Sequence, residues 1–247
     1  MVTSPPERVV IIGGSSGLGL GLARALLDSS TEVTIVGRSP DRLAAARREL
    51  TVGNRTGDLI HTVQADISRE QDVARLFADI GTISHIVTTA ADGTSATGPI
   101  ERVTMRGARG FLDTKVIGPW LVAKYGAQHL TSGGSITFTS GIAAYRPTVS
   151  GAIVAAANGA LESLAYALAL ELAPIRVNVV SPGWVDTPVW DTLAGVDRTA
   201  AFEAMAKRLP VGRIGTPVDL AHAYLSAIRN GFITGSVLHV DGGQRLV

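Results

Sequence analysis

The chain has 247 residues, 46% of them hydrophobic and 17% charged, and 22 Lys+Arg against 21 Asp+Glu leave a formal net charge of +1. That balance fits one compact domain and, without a Lys/Arg cluster, gives no footprint for nucleic acid. No apolar run of about 18 residues stands out, so no membrane span is expected. Cysteine is absent, which excludes disulfides, thiolate catalysis and Cys-based zinc sites. His61, His85, His129, His222 and His239 show no metal-ligand spacing, so no bound metal is expected. Pro5, Pro6 and Glu7 stand where a secretory leader would need apolar residues, and the expected location is cytoplasmic.

Arg8-Val9-Val10-Ile11-Ile12 is a β-branched run ending at Gly13-Gly14, after which Leu18, Leu22, Ala25 and Leu26 recur at helical spacing. The alternation continues with strands predicted over 31–36, 59–65 and 85–89 and helices over 40–50 and 69–80. A long helix over 101–130, a strand over 135–139, a helix over 151–173 and a strand over 176–180 follow, and a helix over 217–229 and a strand over 237–240 close the chain. Alternating β and α units imply a three-layer Rossmann-type α/β fold, a doubly wound parallel sheet in a single domain over 1–247. The segment 187–210, with Pro188, Trp190 and a short amphipathic stretch over 200–209, interrupts the rhythm and is expected to be a lid.

Gly13-Gly14-Ser15-Ser16-Gly17-Leu18-Gly19 lies between the first strand and first helix. Glycines there permit a tight turn and close approach to a pyrophosphate, which the amides of the helix N-terminus would face. Taken alone the loop is also a plausible plain turn; its place after a strand and before a helix favours dinucleotide binding. The second strand ends Val36-Gly37-Arg38-Ser39, with no carboxylate for the adenosine ribose hydroxyls and with Arg38 and Ser39 able to hold a 2′-phosphate. NADP(H) is therefore the expected cofactor, the alternative being that Arg38 is a solvated turn residue.

These residues, with Asp66-Ile67, Arg176-Val177-Asn178-Val179-Val180-Ser181-Pro182-Gly183, Ile233-Thr234-Gly235 and Asp241-Gly242-Gly243, resemble the short-chain dehydrogenase/reductase family over essentially the whole chain. The resemblance implies that Asp66 and Ile67 border the adenine, that Val185 and Thr187 hold the nicotinamide carboxamide beside Pro182 and Gly183, and that Thr89 and Ala90 line the cofactor. Read alone, Asp66 would serve equally as a helix N-cap and Pro182-Gly183 as a turn.

The family's usual chemistry uses a Ser, a Tyr, a Lys four residues after the Tyr, and an Asn on the preceding helix, the Lys lowering the Tyr pKa. Here Tyr125, Tyr145, Tyr166 and Tyr224 are followed four residues later by His129, Val149, Leu170 and Ile228. Aligned on Gly159-Ala160-Leu161-Glu162, the four positions fall on Gly141, Val154, Asn158 and Lys115, and the usual Asn-Asn-Ala-Gly becomes Thr88-Thr89-Ala90-Ala91. Val154 cannot donate a proton, and Asn158 can hydrogen-bond ribose without supplying charge.

Two residues are candidates for the missing chemistry. Lys115 is either a cation or depressed-pKa base at the inner end of the site or a structural lysine. Tyr145, in the loop before the helix over 151–173, either approaches substrate or packs as an aromatic. Ser140 and Asp92 border the same region, and Ser140 is expected to end its strand by bonding backbone. Trp184, Trp190, Phe202 and Met205 are expected to form an apolar wall, favouring a small apolar substrate. Gly151, Ala155 and Gly159 form a stripe of small residues that either packs on the sheet or pairs helices in a homodimer or homotetramer, as the family commonly does. The expectation is an NADP(H)-dependent oxidoreductase with a non-standard active site acting on a carbonyl, imine or enone. The alternatives are non-redox catalysis (a cyclase or isomerase) and an inactive ligand-sensing or partner subunit.

Overall fold

The computed structural model describes residues 7–52, 57–90, 94–193 and 197–247. Ala91, Asp92 and residues 194–196 of the expected lid, like the first six residues, lie outside the described residues. Strands β1 (Arg8–Ile12), β2 (Glu32–Gly37), β3 (Ile60–Gln64), β4 (Ile83–Thr88), β5 (Leu130–Thr139), β6 (Arg176–Pro182) and β7 (Val237–Val240) form one parallel sheet of order β3-β2-β1-β4-β5-β6-β7. The order reverses between β1 and β4, which places the ligand crevice beyond their carboxyl ends.

Helices cover both faces. In β1, Val9 and Ile11 face one way and pack with Leu22 and Leu26 of α1 (Gly17–Leu27), Leu43 of α2 (Pro40–Thr51) and Tyr224 of α9 (Pro217–Arg229). Val10 and Ile12 face the other way, against Phe77 of α3 (Glu70–Ile80), Leu121 and Val122 of α5 (Gly118–Gly126) and Leu161 of α6 (Ala152–Glu171). Burial on both faces is what the unbroken β-branched runs of β1 and β2 require. Arg176 at the start of β6 donates to the carbonyls of Ala227 and Ile228, both at 2.6 Å, and so caps the C-terminus of α9. Asn178 ties in the next loop through the Ile233 carbonyl at 2.8 Å and the Ser236 amide at 3.1 Å.

The helix expected over 101–130 is interrupted. It runs as α4 (Met105–Leu112), a π-helical turn over Asp113–Ile117 and then α5, with Gly118 N donating to Asp113 O. Pro119 has no N–H to give the Lys115 carbonyl, so the wider turn forfeits no α-helical bond there. β4 begins at Ile83 and β5 at Leu130, both earlier than expected, because Gly133 at φ +82° lets the chain enter the sheet through a register shift. α7 (Val189–Leu193) and α8 (Arg198–Arg208) occupy the 187–210 segment, and α7 was not expected.

α6 corrects the expectation of no long apolar run: it has 20 residues, with a mean hydropathy of 1.5 over its most apolar stretch, long and apolar enough by length and composition to cross a membrane. One face of it, with Leu161, Ala165 and Leu168, packs against the sheet, and a third of the apolar stretch is buried. A Cβ at Gly159 would meet nothing within 4 Å, so packing on the sheet does not demand a small residue at that position.

Candidate functional site

A cleft of about 680 Å³ opens at the carboxyl ends of β1, β4 and β5. Its floor is the glycine loop. Gly13 adopts φ +87°, and a Cβ there would lie 2.7 Å from both Ala90 N and Thr89 Oγ1; one at Gly19 would lie 2.4 Å from Gly13 O. At Gly13 and Gly19 the loop is thus packed so closely onto the end of β4 and onto itself that no Cβ fits. Thr89 Oγ1 donates to the carbonyls of Ile12 at 3.1 Å and Gly13 at 3.2 Å, which fixes that contact. Ser16, the N-cap of α1, makes no side-chain capping bond, so the first amides of the helix are left to an anion.

Of the residues singled out for a cofactor, Gly13, Ser15, Ser16, Gly17, Leu18, Arg38, Ser39, Asp66, Ile67, Thr89, Ala90, Pro182 and Thr187 line the cleft. Gly19, Asn158, Gly183 and Val185 are not in its lining. Gly19 serves the loop's packing. Gly183 lies against β7, where a Cβ would be 2.7 Å from Asp241 Cα, and Val185 is buried in the core. Asn158 is buried and donates Nδ2 to Val154 O at 3.0 Å within its own helix, and its Oδ1 has no partner among the described residues. Asp66 is not an N-cap: Arg69 holds that place, and Asp66 Oδ1 accepts from Ser68 N at 3.0 Å and Ser68 Oγ at 2.7 Å. Arg42 and Thr114 line the cleft and were missed, while Pro188 and Val189, expected only as part of the lid over 187–210, line it as well. Arg42 lies in the first turn of α2, whose N-cap is Ser39, while Arg38 precedes the helix, so no helical spacing in the sequence pairs the two.

Lys115 is 5% exposed, at the cleft's inner end. Its Nζ donates to Thr139 O at 2.7 Å, the last carbonyl of β5, and to Ser140 O just beyond it at 3.1 Å. Burial pushes its pKa down to about 8, against the opposing pull of the Glu162 charge. Ser140 does not bond backbone through its side chain as expected; Oγ donates to Glu162 Oε1 at 2.7 Å. Tyr145 donates to the other oxygen, Glu162 Oε2, at 2.5 Å, and its ring meets His239 edge-on at 4.7 Å. Burial and Glu162 raise the Tyr145 pKa above the usual phenol range. Burial, with the Arg245 charge, lowers that of His239. In the sequence Glu162 stands out only as the end of Gly159-Ala160-Leu161-Glu162. Its role rests on contacts 17 and 22 residues away in sequence, which periodicity does not reveal.

Gly141, Val154 and Tyr145 do not appear in the cleft's lining. Trp184, Trp190 and Phe202 do cluster, with centroids 4.2 Å apart for the two indoles and 5.5 Å for Trp190 and Phe202, and Met205 is half-buried on the same helix as Phe202. The rings stand beside the cleft, whose wall on that side is Thr187, Pro188 and Val189.

The family model described as enoyl-(acyl carrier protein) reductase matches residues 13–245. The short-chain dehydrogenase/reductase malC of Malbranchea aurantiaca is 33% identical over 97% of this chain and 95% of its own. The chain belongs to the short-chain dehydrogenase/reductase family. Within that family it is also 33% identical to the L-fucose dehydrogenase of Oryctolagus cuniculus, over 96% of this chain and 84% of that one. Among solved structures, a small-chain dehydrogenase in complex with NADPH matches with TM-score 0.81 and 35% identity, covering 98% of this chain and 100% of its own. The MalC reductase/Diels-Alderase of Malbranchea aurantiaca matches with TM-score 0.91 and 32% identity, covering 98% and 97%.

Proposed function

We propose that this protein is an NADP(H)-dependent oxidoreductase with a non-standard active site, acting on a small apolar substrate. The observation that carries the reading is the glycine cradle, open only to backbone, continuous with a cleft whose far end holds Arg38 and Arg42 and whose β2 terminus is Gly37 rather than a carboxylate. Uncapped amides of α1 suit the pyrophosphate, and the two guanidiniums suit a 2′-phosphate. The NADPH held by a structural relative supports this choice. When bound, the cofactor supplies hydride chemistry. The chain's own residues orient the partners: Lys115 holds the end of β5, and Pro188 and Val189 shield the cleft as the inner edge of a lid over 187–210.

The Tyr-x-x-x-Lys pair of the family is absent from the sequence, so the proton must come from another group or none is needed, as for an imine or a polarised enone. A second reading keeps NADP(H) while the pocket catalyses a cyclisation or isomerisation. It is favoured by the similarity to a reductase/Diels-Alderase. Titration calorimetry with NADPH and NADH tests the common part: NADPH-selective binding is expected, and binding of neither would refute both readings. Stoichiometric NADPH consumption during turnover separates the first from the second.

A further inference from the structure

Resting on that oxidoreductase reading, we infer that Glu162 is a positioning residue that turns Ser140 into a hydrogen-bond acceptor, so that the cleft is built to hold a substrate hydroxyl rather than a bare carbonyl. A serine hydroxyl has one proton to give and two lone pairs with which to accept. The proton of Ser140 is committed to Glu162 Oε1 at 2.7 Å, and Ser140 lines the cleft. What Ser140 has left is acceptor capacity, which a carbonyl oxygen cannot use and an alcohol O–H can.

The arrangement is built rather than incidental. Ser140 is 4% exposed and Glu162 6% exposed, and a buried carboxylate needs its oxygens satisfied. Tyr145 satisfies the second oxygen, at 2.5 Å, and Lys115 compensates the charge. With both hydroxyls already donating to it, Glu162 holds them in one polarity. Tyr145 is 41% exposed, so the cluster reaches from the cleft to the surface. In the direction of substrate oxidation, the substrate proton would pass to Ser140 Oγ as the Ser140 proton passes to Glu162 Oε1, while the carbinol C–H bond would break and its hydride go to NADP+, which would be reduced to NADPH. One O–H bond breaks and one forms at the serine, and the carboxylate ends protonated.

The test is binding of cyclohexanol against cyclohexanone to the purified full chain, by saturation-transfer NMR with competition, in wild type, Glu162→Gln and Ser140→Ala. An amide at 162 can donate to Ser140, which frees the serine proton for a carbonyl. Wild type is expected to prefer the alcohol about tenfold, and both substitutions should erase the preference. A carboxylate that merely braces the fold would lower the melting temperature and leave the ratio unchanged. Equal or tighter binding of the ketone by wild type, no binding of either probe at millimolar concentration, or a preference that survives the substitutions would overturn the inference. Should Glu162→Gln fail to fold, Ser140→Ala decides. Cofactor titration of the same samples scores the oxidoreductase reading separately, because the alcohol preference is read with and without NADP(H).

Discussion

Lys115 and Thr139 are joined by a 2.7 Å hydrogen bond from the ammonium to the carbonyl that ends β5. The π-helical turn supplies the geometry, and Pro119 makes that turn inexpensive. Lys115 therefore links the helix that precedes β5 to the carboxyl end of that strand, at the cost of burying a charge.

That cost is readable in pH. Below pH 8 Lys115 is protonated in the folded and unfolded chain, and the burial penalty is fully present. Between about 8 and the ordinary value of 10.5 the unfolded state binds more protons, so stability rises with pH. Relative to Lys115→Met, the wild-type protein should gain on the order of 3 kcal/mol across that window, measured by urea denaturation at stepped pH. A flat difference would remove the buried charge from the account.

Arg38 and Arg42 face the same end of the cleft. Loss of a charge-assisted contact costs about 1.5–3 kcal/mol, so Arg38→Ala and Arg42→Ala should each weaken NADPH by roughly tenfold or more and leave NADH nearly unchanged. Calorimetry with both cofactors checks this, and equal losses would refute the 2′-phosphate role.

Gly13→Ala puts a Cβ at φ +87° and 2.7 Å from Ala90 N. The expected loss is about 1–3 kcal/mol together with cofactor binding, since the loop must lift from β4. Gly57→Ala, where a Cβ meets nothing within 4 Å, should alter neither. Thermal melts and cofactor titration of the pair distinguish a cradle from a tolerant turn.

Asp219 closes the capping box of α9, accepting from Thr216 N at 2.8 Å while gripping Arg213 at 2.7 and 2.8 Å. The Arg213 guanidinium holds its carboxyl well below the usual carboxylate range. A depressed acid contributes stability above its unfolded pKa, 3.8, and loses it as pH falls below that value. Asp219→Ala should cost about 1 kcal/mol at neutral pH, and the gap from wild type should close in acid, followed by helical circular dichroism.

Much of the fold is legible in the sequence alone. α9 and β7 run over the residues that periodicity indicated, and β1 and the glycine loop stand where expected, because hydrophobic spacing and glycine conformation are local properties. The 101–130 helix was misread because one proline and a lysine with a distant partner outweigh the helical period there. Ser140 was assigned to backbone because a local bond is all that sequence distance suggests, whereas its partner lies about three turns into α6.

By itself the sequence determined the alternation of strands and helices, the glycine-rich turn between the first strand and first helix, and the absence of any tyrosine followed four residues later by lysine. Each is a statement about neighbours along the chain. Only the tertiary structure decided which way the hydroxyl of Ser140 points, that Glu162 is buried between two donors, and that Arg42 joins Arg38 at the cleft. Those depend on β5, α6 and α2 being brought to one end of a sheet. There burial makes an unpaired charge or proton costly, so its partner is fixed by packing rather than by position in the chain.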